Sequence, residues 1–163
     1  MALNLTGRYE LDAPVQEVWN TILDPDVLRE CIPGCSDLEA ESETDYRATV
    51  TVKVGPIKAT FKGRVELSEM DEPNSLRLSG TGEGGVVGNA KGSSFIQLSP
   101  GEEPDTTILE YDADVAIGGK LAQLGSRMIQ GVARKLADQF FGKLAARFDG
   151  EEAAEAEAVE GQG

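Results

Sequence analysis

One long amphipathic segment near the end of the chain, residues 120–148, limits the folds open to this sequence. Small and apolar residues recur along it at the spacing of one face of an α-helix, at Gly125, Ile129, Val132, Leu136, Phe140 and Leu144. A helix of that length measures about 42 Å, which is enough to cross a whole curved sheet. We therefore expect one helix lying along a sheet, an arrangement that can enclose a cavity.

Before this segment, apolar and polar side chains mostly alternate, which is typical of strands with one buried face. The alternation begins at Leu3 and ends at Leu11, and two short helices then follow, the second over residues 26–31. From Ser36 to Ile117 the alternation returns in six segments separated by turns such as Gly55-Pro56. The predicted fold is α+β, with a curved antiparallel sheet of about seven strands around the C-terminal helix.

The 163 residues suit one domain, which we place at residues 1–148. Residues 149–163 are acidic and of low complexity, so a disordered tail is predicted there, with a frayed continuation of the helix as the alternative. The chain has no run of 18 apolar residues and no signal-peptide pattern at its start, and both observations favour a cytoplasmic location.

Charge separates the helix from the rest of the chain. The net charge of −14 argues against a nucleic-acid partner, whereas residues 120–148 hold six bases and one acid. Arg127, Arg134 and Lys135 are candidate partner-binding residues, for an acidic protein or for anionic lipid headgroups. The alternative is a solvated face that offsets the acidic sheet.

Several kinds of chemistry are disfavoured by residue content. The chain has no histidine, which excludes histidine-dependent nucleophilic catalysis, and Cys31 and Cys35 alone do not form a zinc site. We interpret the two cysteines as buried structural thiols. The acids Glu110, Asp112 and Asp114 share the polar face of one strand and are expected to face water.

A glycine-rich stretch, residues 80–85, has the G-x-G-x-x-G spacing of dinucleotide-binding loops. That fingerprint needs a helix opening directly after it, whereas here another strand pattern follows. We interpret the stretch as a hairpin or bulge region at which the sheet bends.

The inward positions of the predicted sheet hold unusually small residues, among them Gly63, Gly80, Gly82, Gly92 and Ala113. Two interpretations remain: the residues leave an apolar cavity beneath the helix, or the glycines only bend the sheet and the helix packs down on them. In the first case Tyr111 is able to donate a hydrogen bond to a ligand carbonyl. The predicted cavity lining is Phe61, Leu78, Gly80, Tyr111, Ala113, Leu121, Leu124, Met128 and Val132.

The element order resembles the helix-grip fold of the birch-pollen-allergen and START-related superfamily, and residues 1–148 resemble the CoxG family of carbon monoxide dehydrogenase proteins. The matching stretches are Gly7-Arg8-Tyr9-Glu10-Leu11 with Ala13-Pro14, Val18-Trp19, Asp24-Pro25, Cys31-Ile32-Pro33-Gly34-Cys35, Val54-Gly55-Pro56-Ile57 and Phe61-Lys62-Gly63. The cysteine-flanked segment and the Gly-Pro turn are the more specific of these.

This resemblance implies a non-enzymatic accessory protein for a molybdenum hydroxylase of the aerobic carbon monoxide dehydrogenase type. It implies a hydrophobic ligand, a quinone, in the cavity and no covalently bound cofactor or metal. It further implies a peripheral contact with the inner face of the membrane, although the acidic tail would be repelled by anionic lipid. The alternatives are an assembly factor with a filled core and a cyclase-like or hydratase-like enzyme.

Overall fold

The structure is a computed structural model that describes the backbone of residues 1–162 and the side chains of residues 1–148. Its described part contains one antiparallel sheet in the order β1-β7-β6-β5-β4-β3-β2. The first strand therefore pairs with the last, and the remaining strands follow as a meander. The strands are β1 (Ala2–Leu11), β2 (Cys35–Ala40), β3 (Asp45–Val54), β4 (Ile57–Asp71), β5 (Ser75–Glu83), β6 (Asn89–Pro100) and β7 (Thr107–Gly118).

Two short helices, α1 (Val15–Ile22) and α2 (Pro25–Cys31), join β1 to β2. The Asp24 carboxylate accepts a hydrogen bond from the backbone N–H of Asp26, which caps α2, and Pro25 occupies its first turn. The long helix α3 (Ser126–Gln162) follows β7. The predicted order of one strand, two short helices, six strands and a long helix is thus confirmed, as is the α+β class.

The predicted start of the long helix at residue 120 is wrong. Residues Gly119–Leu124 form a 3₁₀ segment, and Gly125 separates this segment from α3. Gly125 has φ +95°, in the region that favours glycine, so the helical hydrogen-bond pattern is interrupted there. The α-helix consequently begins at Ser126, and Leu121 belongs to the connection between β7 and this helix.

The core divides into two apolar clusters. The larger lies under α1, α2 and the end of the described part of α3, and it includes Trp19, Leu109 and Leu144. The smaller joins Val54 of β3, Leu121 and Ile129. Because burial of an apolar side chain contributes about 1.5–3 kcal/mol, the two clusters hold the part of α3 with described side chains against the sheet, the smaller at Ile129 and the larger at Phe141, Leu144 and Ala145.

The prediction of a disordered tail at 149–163 falls outside the residues whose side chains are described. Within the described residues, no helix is long and apolar enough to span a membrane.

Candidate functional site: an apolar cavity beneath the long helix

Between the sheet and the middle of α3 lies an apolar cavity of about 400 Å³. Strands β1 and β3–β7 supply one wall, α3 supplies the other, and Ile32 contributes at one side. The volume falls within the ~300–1,000 Å³ typical of small-molecule sites. A neighbouring hollow of about 330 Å³ shares the wall residues Phe61, Val65 and Gly80. The predicted cavity is therefore present, and the alternative of a helix packed down on the sheet does not hold at its centre.

The inward glycines are of two physical kinds. Gly80 and Gly92 lie directly opposite each other on β5 and β6, and a Cβ added to either would have its nearest neighbour 3.6 or 3.7 Å away. A Cβ on Gly63 would instead lie 1.6 Å from the backbone oxygen of Thr81. Gly80 and Gly92 open volume under the helix, as the cavity interpretation predicts. Gly63 instead permits two strands to approach closely, so at this position the glycine serves the shape of the sheet.

Tyr111 brings a polar group to the cavity wall. Its hydroxyl accepts a hydrogen bond of 3.0 Å from Nη1 of Arg134 on α3, and the same nitrogen donates to the backbone oxygen of Thr6 at 2.8 Å. Burial raises the pKa of the Tyr111 phenol above its ordinary value, and the nearby Arg134 guanidinium offsets part of that rise. The phenol is therefore neutral near pH 7 and retains a hydrogen to donate.

Stacked aromatic rings hold Tyr111 in place. Its ring stacks on Phe141 of α3 with centroids 4.3 Å apart, and the Tyr9 ring stacks against both, with its centroid 5.4 Å from that of Phe141 and 6.5 Å from that of Tyr111. The Tyr9 hydroxyl donates to Asp138 at 3.1 Å. Gly7, which pairs with Tyr111 across β1 and β7, leaves room for the ring, since a Cβ there would lie 2.3 Å from its Cε1 atom. The hydroxyl position is thus fixed from several directions.

Ser94 supplies a second polar atom. Its Oγ atom is buried and has no hydrogen-bond partner among the described residues, and the residue lies on the cavity wall. Ser94 pairs with Ala113, two residues from Tyr111 on the same face of β7. A buried hydroxyl without a partner carries an energetic cost of about 1–3 kcal/mol, which a hydrogen-bonding ligand would remove.

Most of the predicted lining residues do lie on the cavity wall. The structure brings together Phe61, Leu78, Gly80, Tyr111, Ala113, Leu121 and Val132. Leu124 lies outside this wall and packs against the smaller core cluster. Met128 also lies outside it, because its side chain covers Gly55 at the β3–β4 turn and is 41% exposed. Whether the wall residues bind a ligand stays a prediction.

The three predicted partner-binding residues do not form one surface. Arg127 and Lys135 are exposed, but Arg134 is half-buried and reaches Thr6 and Tyr111. Helical periodicity placed all three opposite the apolar face; a long arginine side chain at the edge of that face can nevertheless turn inward. Arg134 is therefore a positioning residue for Tyr111.

Sequence reasoning left several wall residues out of the predicted lining. Ala90, Gly92 and Ser94 alternate on β6 in phase with the buried Ile96 and Leu98. That period of two placed Gly92 at an inward position, and it was also the signal that could have placed Ala90 and Ser94 on the wall. On α3 the wall residues left out of the predicted lining include Ala133 and Ala137, which have small side chains.

The other predicted features lie away from the cavity. Glu110, Asp112 and Asp114 are exposed, as predicted, and Asn4 Nδ2 donates to the two aspartates. The described residues contain no cluster of potential metal ligands. The glycine-rich stretch 80–85 runs from β5 into a 3₁₀ segment, Gly85–Val87, before β6, so it joins two strands as expected.

The two thiols are unequally accessible, and this gives a first testable result. Cys31 is buried as predicted, but Cys35 is partly exposed, and burial raises the pKa of both thiols. With iodoacetamide we expect the folded protein to be modified only at Cys35, faster as the pH rises and thiolate forms. Peptide mass mapping reads out the site, and the urea-unfolded chain, modified at both, is the control. Equal rates in the folded protein would contradict the placement of Cys31.

Comparisons with known proteins agree with this geometry. A family model described as CoxG, a subunit of carbon monoxide dehydrogenase, matches residues 7–148. None of the curated proteins matches the chain. Among solved structures, a conserved protein from Geobacillus kaustophilus is 34% identical with a TM-score of 0.83, and the match covers 90% of this chain and 95% of that one.

More distant structures share the fold. The Zhui aromatase/cyclase from Streptomyces sp. R1128 is 13% identical with a TM-score of 0.68, covering 91% of this chain and 94% of that one. A START superfamily protein from Mycobacterium smegmatis is 14% identical with a TM-score of 0.65, covering 90% and 97%. Together with the sheet and helix described above, they identify the fold as the helix-grip type. Because the family model spans most of the sequence, the chain belongs to the CoxG family of carbon monoxide dehydrogenase proteins.

Proposed function

We propose that this chain carries an apolar small molecule in the cavity beneath α3, as an accessory to an enzyme of the carbon monoxide dehydrogenase type. The observation that carries the proposal is the open volume in front of Gly80 and Gly92, enclosed by apolar side chains of the sheet and of α3. Apolar volume of this size favours apolar ligands, because burial contributes about 25 cal/mol per Å² of ligand surface. The family description supports the accessory role.

The ligand class that we propose is a quinone. Its carbonyl oxygens are acceptors, and the two hydroxyls at the wall, Tyr111 and Ser94, are able to donate to them. Its apolar tail would lie along Phe61 and Val65 into the neighbouring hollow. A bound quinone would supply two-electron, two-proton carrier chemistry; the residues of this chain hold and orient it and exclude water.

Removal of the wall hydroxyls should reduce discrimination between ligands rather than abolish binding. For the Tyr111→Phe/Ser94→Ala variant we expect the preference for a long-chain naphthoquinone over the matching alkylnaphthalene to fall by about tenfold, since a hydrogen bond is worth about 0.5–1.5 kcal/mol. Fluorescence competition measures both affinities. Thr107→Ser, whose hydroxyl bonds Ala13 away from the cavity, is the control and should leave the preference unchanged. An undiminished preference in the double variant would contradict the assigned orientation.

The ligand itself is identified by extraction. Protein purified from its own host, without detergent, should release a quinone into organic solvent in an amount close to one molecule per chain. Recovery of no apolar compound, together with failure to take up an added quinone, would exclude the carrier role.

The partner that we propose is a molybdenum hydroxylase of the carbon monoxide dehydrogenase type, with transfer of electrons towards the respiratory chain at the inner face of the membrane. The family description supports an enzyme of the carbon monoxide dehydrogenase type as the partner. Co-purification of the enzyme with the chain, and reduction of the chain's quinone on addition of the enzyme's substrate, test it directly. The exposed Lys135 is a candidate contact for the enzyme, whereas Arg134 donates its hydrogen bonds to Thr6 and Tyr111 within the chain.

A further inference from the structure

Both ends of the cavity beneath α3 are closed by buried side chains. Towards the β3–β4 turn the wall consists of Val54, Leu121 and Ile129, all of which are buried. Further along α3 the wall consists of Tyr111 and Phe141, and these aromatic rings are buried as well. Packed apolar side chains leave no gap wide enough for a ligand, so neither end offers a passage to the surface.

The two long sides of α3 differ in how they are held to the sheet. On the side that faces β1, Arg134 donates to the backbone oxygen of Thr6 at 2.8 Å, and the wall residue Leu5 of that strand is buried. On the side that faces β3, no hydrogen bond joins α3 to the strand among the residues whose side chains are described. The β1 side is therefore fastened by a polar contact that the β3 side lacks.

On the β3 side the apolar space continues towards the surface. The cavity shares Val52 and Leu136 with the neighbouring hollow, and the hollow extends to Pro33 in the connection between α2 and β2. A polar groove of about 580 Å³ lies along the same connection, and the exposed residues Arg29 and Lys143 contribute to its wall. The α2–β2 connection is thus the boundary between the apolar space and an exposed groove.

Ile32 occupies the boundary itself. Of the described residues it alone lines the cavity, the hollow and the polar groove. Its backbone is extended, with φ −69° and ψ 116°, as expected for a residue followed by proline. Its β-branched side chain has few accessible rotamers. One stiff apolar side chain therefore separates the cavity from the groove, and we call this place the mouth, defined by Ile32, Val52 and Leu136.

The backbone on both sides of Ile32 is held in place. Before it, Cys31 is buried, and the N–H of Ile32 itself donates to the backbone oxygen of Leu28 at 2.9 Å. After it, the backbone oxygen of Gly34 accepts from the N–H of Thr51 on β3 at 2.9 Å. Gly34 has φ +75°, a conformation that favours glycine. Passage at the mouth therefore requires rotation of side chains and not displacement of the connection.

We propose that apolar ligands enter and leave the cavity through the mouth, between α3 and β3, and that the Ile32 and Leu136 side chains set the rate of this exchange. The inference rests on the proposed function, because it assigns a route to the same ligand site. A constriction raises the barriers to entry and to exit alike. A change in its width consequently alters the association and dissociation rate constants by the same factor and leaves the affinity nearly constant.

Stopped-flow fluorescence of the full chain with the apolar probe N-phenylnaphthylamine measures both rate constants. Ile32→Ala and Leu136→Ala should each raise both by about threefold or more, and Ile32→Trp should lower both by at least about tenfold. Leu124→Ala is the matched control, since it removes the same atoms as Leu136→Ala from a partly exposed leucine beside the smaller core cluster, at a closed end of the cavity. It should leave both rate constants within about twofold.

Parallel changes of both rate constants in the mouth variants, with affinities within about threefold of the unaltered chain, support the route. The two alanine variants carry the test if Ile32→Trp does not fold, which circular dichroism shows. Unchanged rate constants in the mouth variants, or acceleration by Leu124→Ala alone, overturn the route while the carrier function stands, because the probe is still bound. A change in the dissociation rate constant alone would make Ile32 and Leu136 ordinary wall residues and also overturns it.

The unaltered chain provides the separate test of the function on which the route depends. It should bind the probe with a saturable rise in fluorescence. Failure to take up the probe would contradict the carrier function and the route together, whereas binding with rate constants insensitive to the mouth contradicts the route alone.

Discussion

Filling the cavity from the sheet side should strongly weaken ligand binding while leaving the fold intact. In the Gly80→Leu/Gly92→Leu variant two leucine side chains would project from opposed positions into the open volume under α3. Neither glycine has a backbone conformation that excludes a side chain, and the nearest atoms leave ordinary van der Waals space for Cβ. We expect affinity for an apolar fluorescent probe to fall by roughly 100-fold, about 2.7 kcal/mol.

The control uses a pair on the other face of the same two strands. Glu83 and Asn89 are opposite each other and exposed, and neither lines the cavity or the neighbouring hollow, so Glu83→Leu/Asn89→Leu adds comparable apolar volume outside both. This variant should bind the probe as the unaltered chain does. Thermal unfolding of the cavity-filling variant should occur at an unchanged or higher temperature, because added leucine atoms occupy empty apolar space. Retained probe binding in that variant would place the ligand elsewhere.

The second large effect is on stability, at Gly63. A methyl group there would lie 1.6 Å from the backbone oxygen of Thr81 and 2.9 Å from Cα of Gly82. Both neighbours are backbone atoms of the adjacent strand and are held by the β4–β5 ladder, so the strands must separate. For Gly63→Ala we expect the free energy of unfolding to fall by about 3 kcal/mol, at the upper end of overpacking costs.

Urea denaturation measures this loss, and Gly80→Ala is the matched control. Gly80 is an inward glycine of the neighbouring strand, but its added Cβ would meet its nearest atom at 3.6 Å. We expect the control to change the free energy of unfolding by less than about 1 kcal/mol, because only the conformational freedom of the unfolded chain and a small burial term are altered. A similar loss in both variants would show that the strands are equally close at the two positions.

Sequence periodicity was sufficient for the architecture and for most of the cavity wall. Alternation placed Leu78, Tyr111 and Ala113 on the inner face, because a strand has only two faces. The start of α3 could not be obtained in this way: residues 120–124 continue the helical pattern, and the left-handed conformation of Gly125 depends on the connection from β7. Met128 was misplaced for the same reason, since it belongs to the first turn after that break.

The sequence also could not show which inward glycines face the cavity and which allow two strands to approach closely. Gly63, Gly80 and Gly92 all lie on the inner face of the sheet. Gly63 marks a close approach of two strands, whereas Gly80 and Gly92 face open volume. Local strand separation depends on the twist and curvature of the whole sheet, which no short pattern encodes. The inward turn of Arg134 likewise depends on the distance from α3 to β1 and on the acceptors that Thr6 and Tyr111 provide.

Native mass spectrometry of the chain purified from its own host tests the central claim most directly. We expect the unaltered protein to carry one apolar molecule per chain and the Gly80→Leu/Gly92→Leu variant, prepared in the same way, to appear at the mass of its polypeptide alone. The same adduct on both proteins, or none on the unaltered protein even after exposure to a quinone, would contradict a ligand-carrying cavity beneath α3.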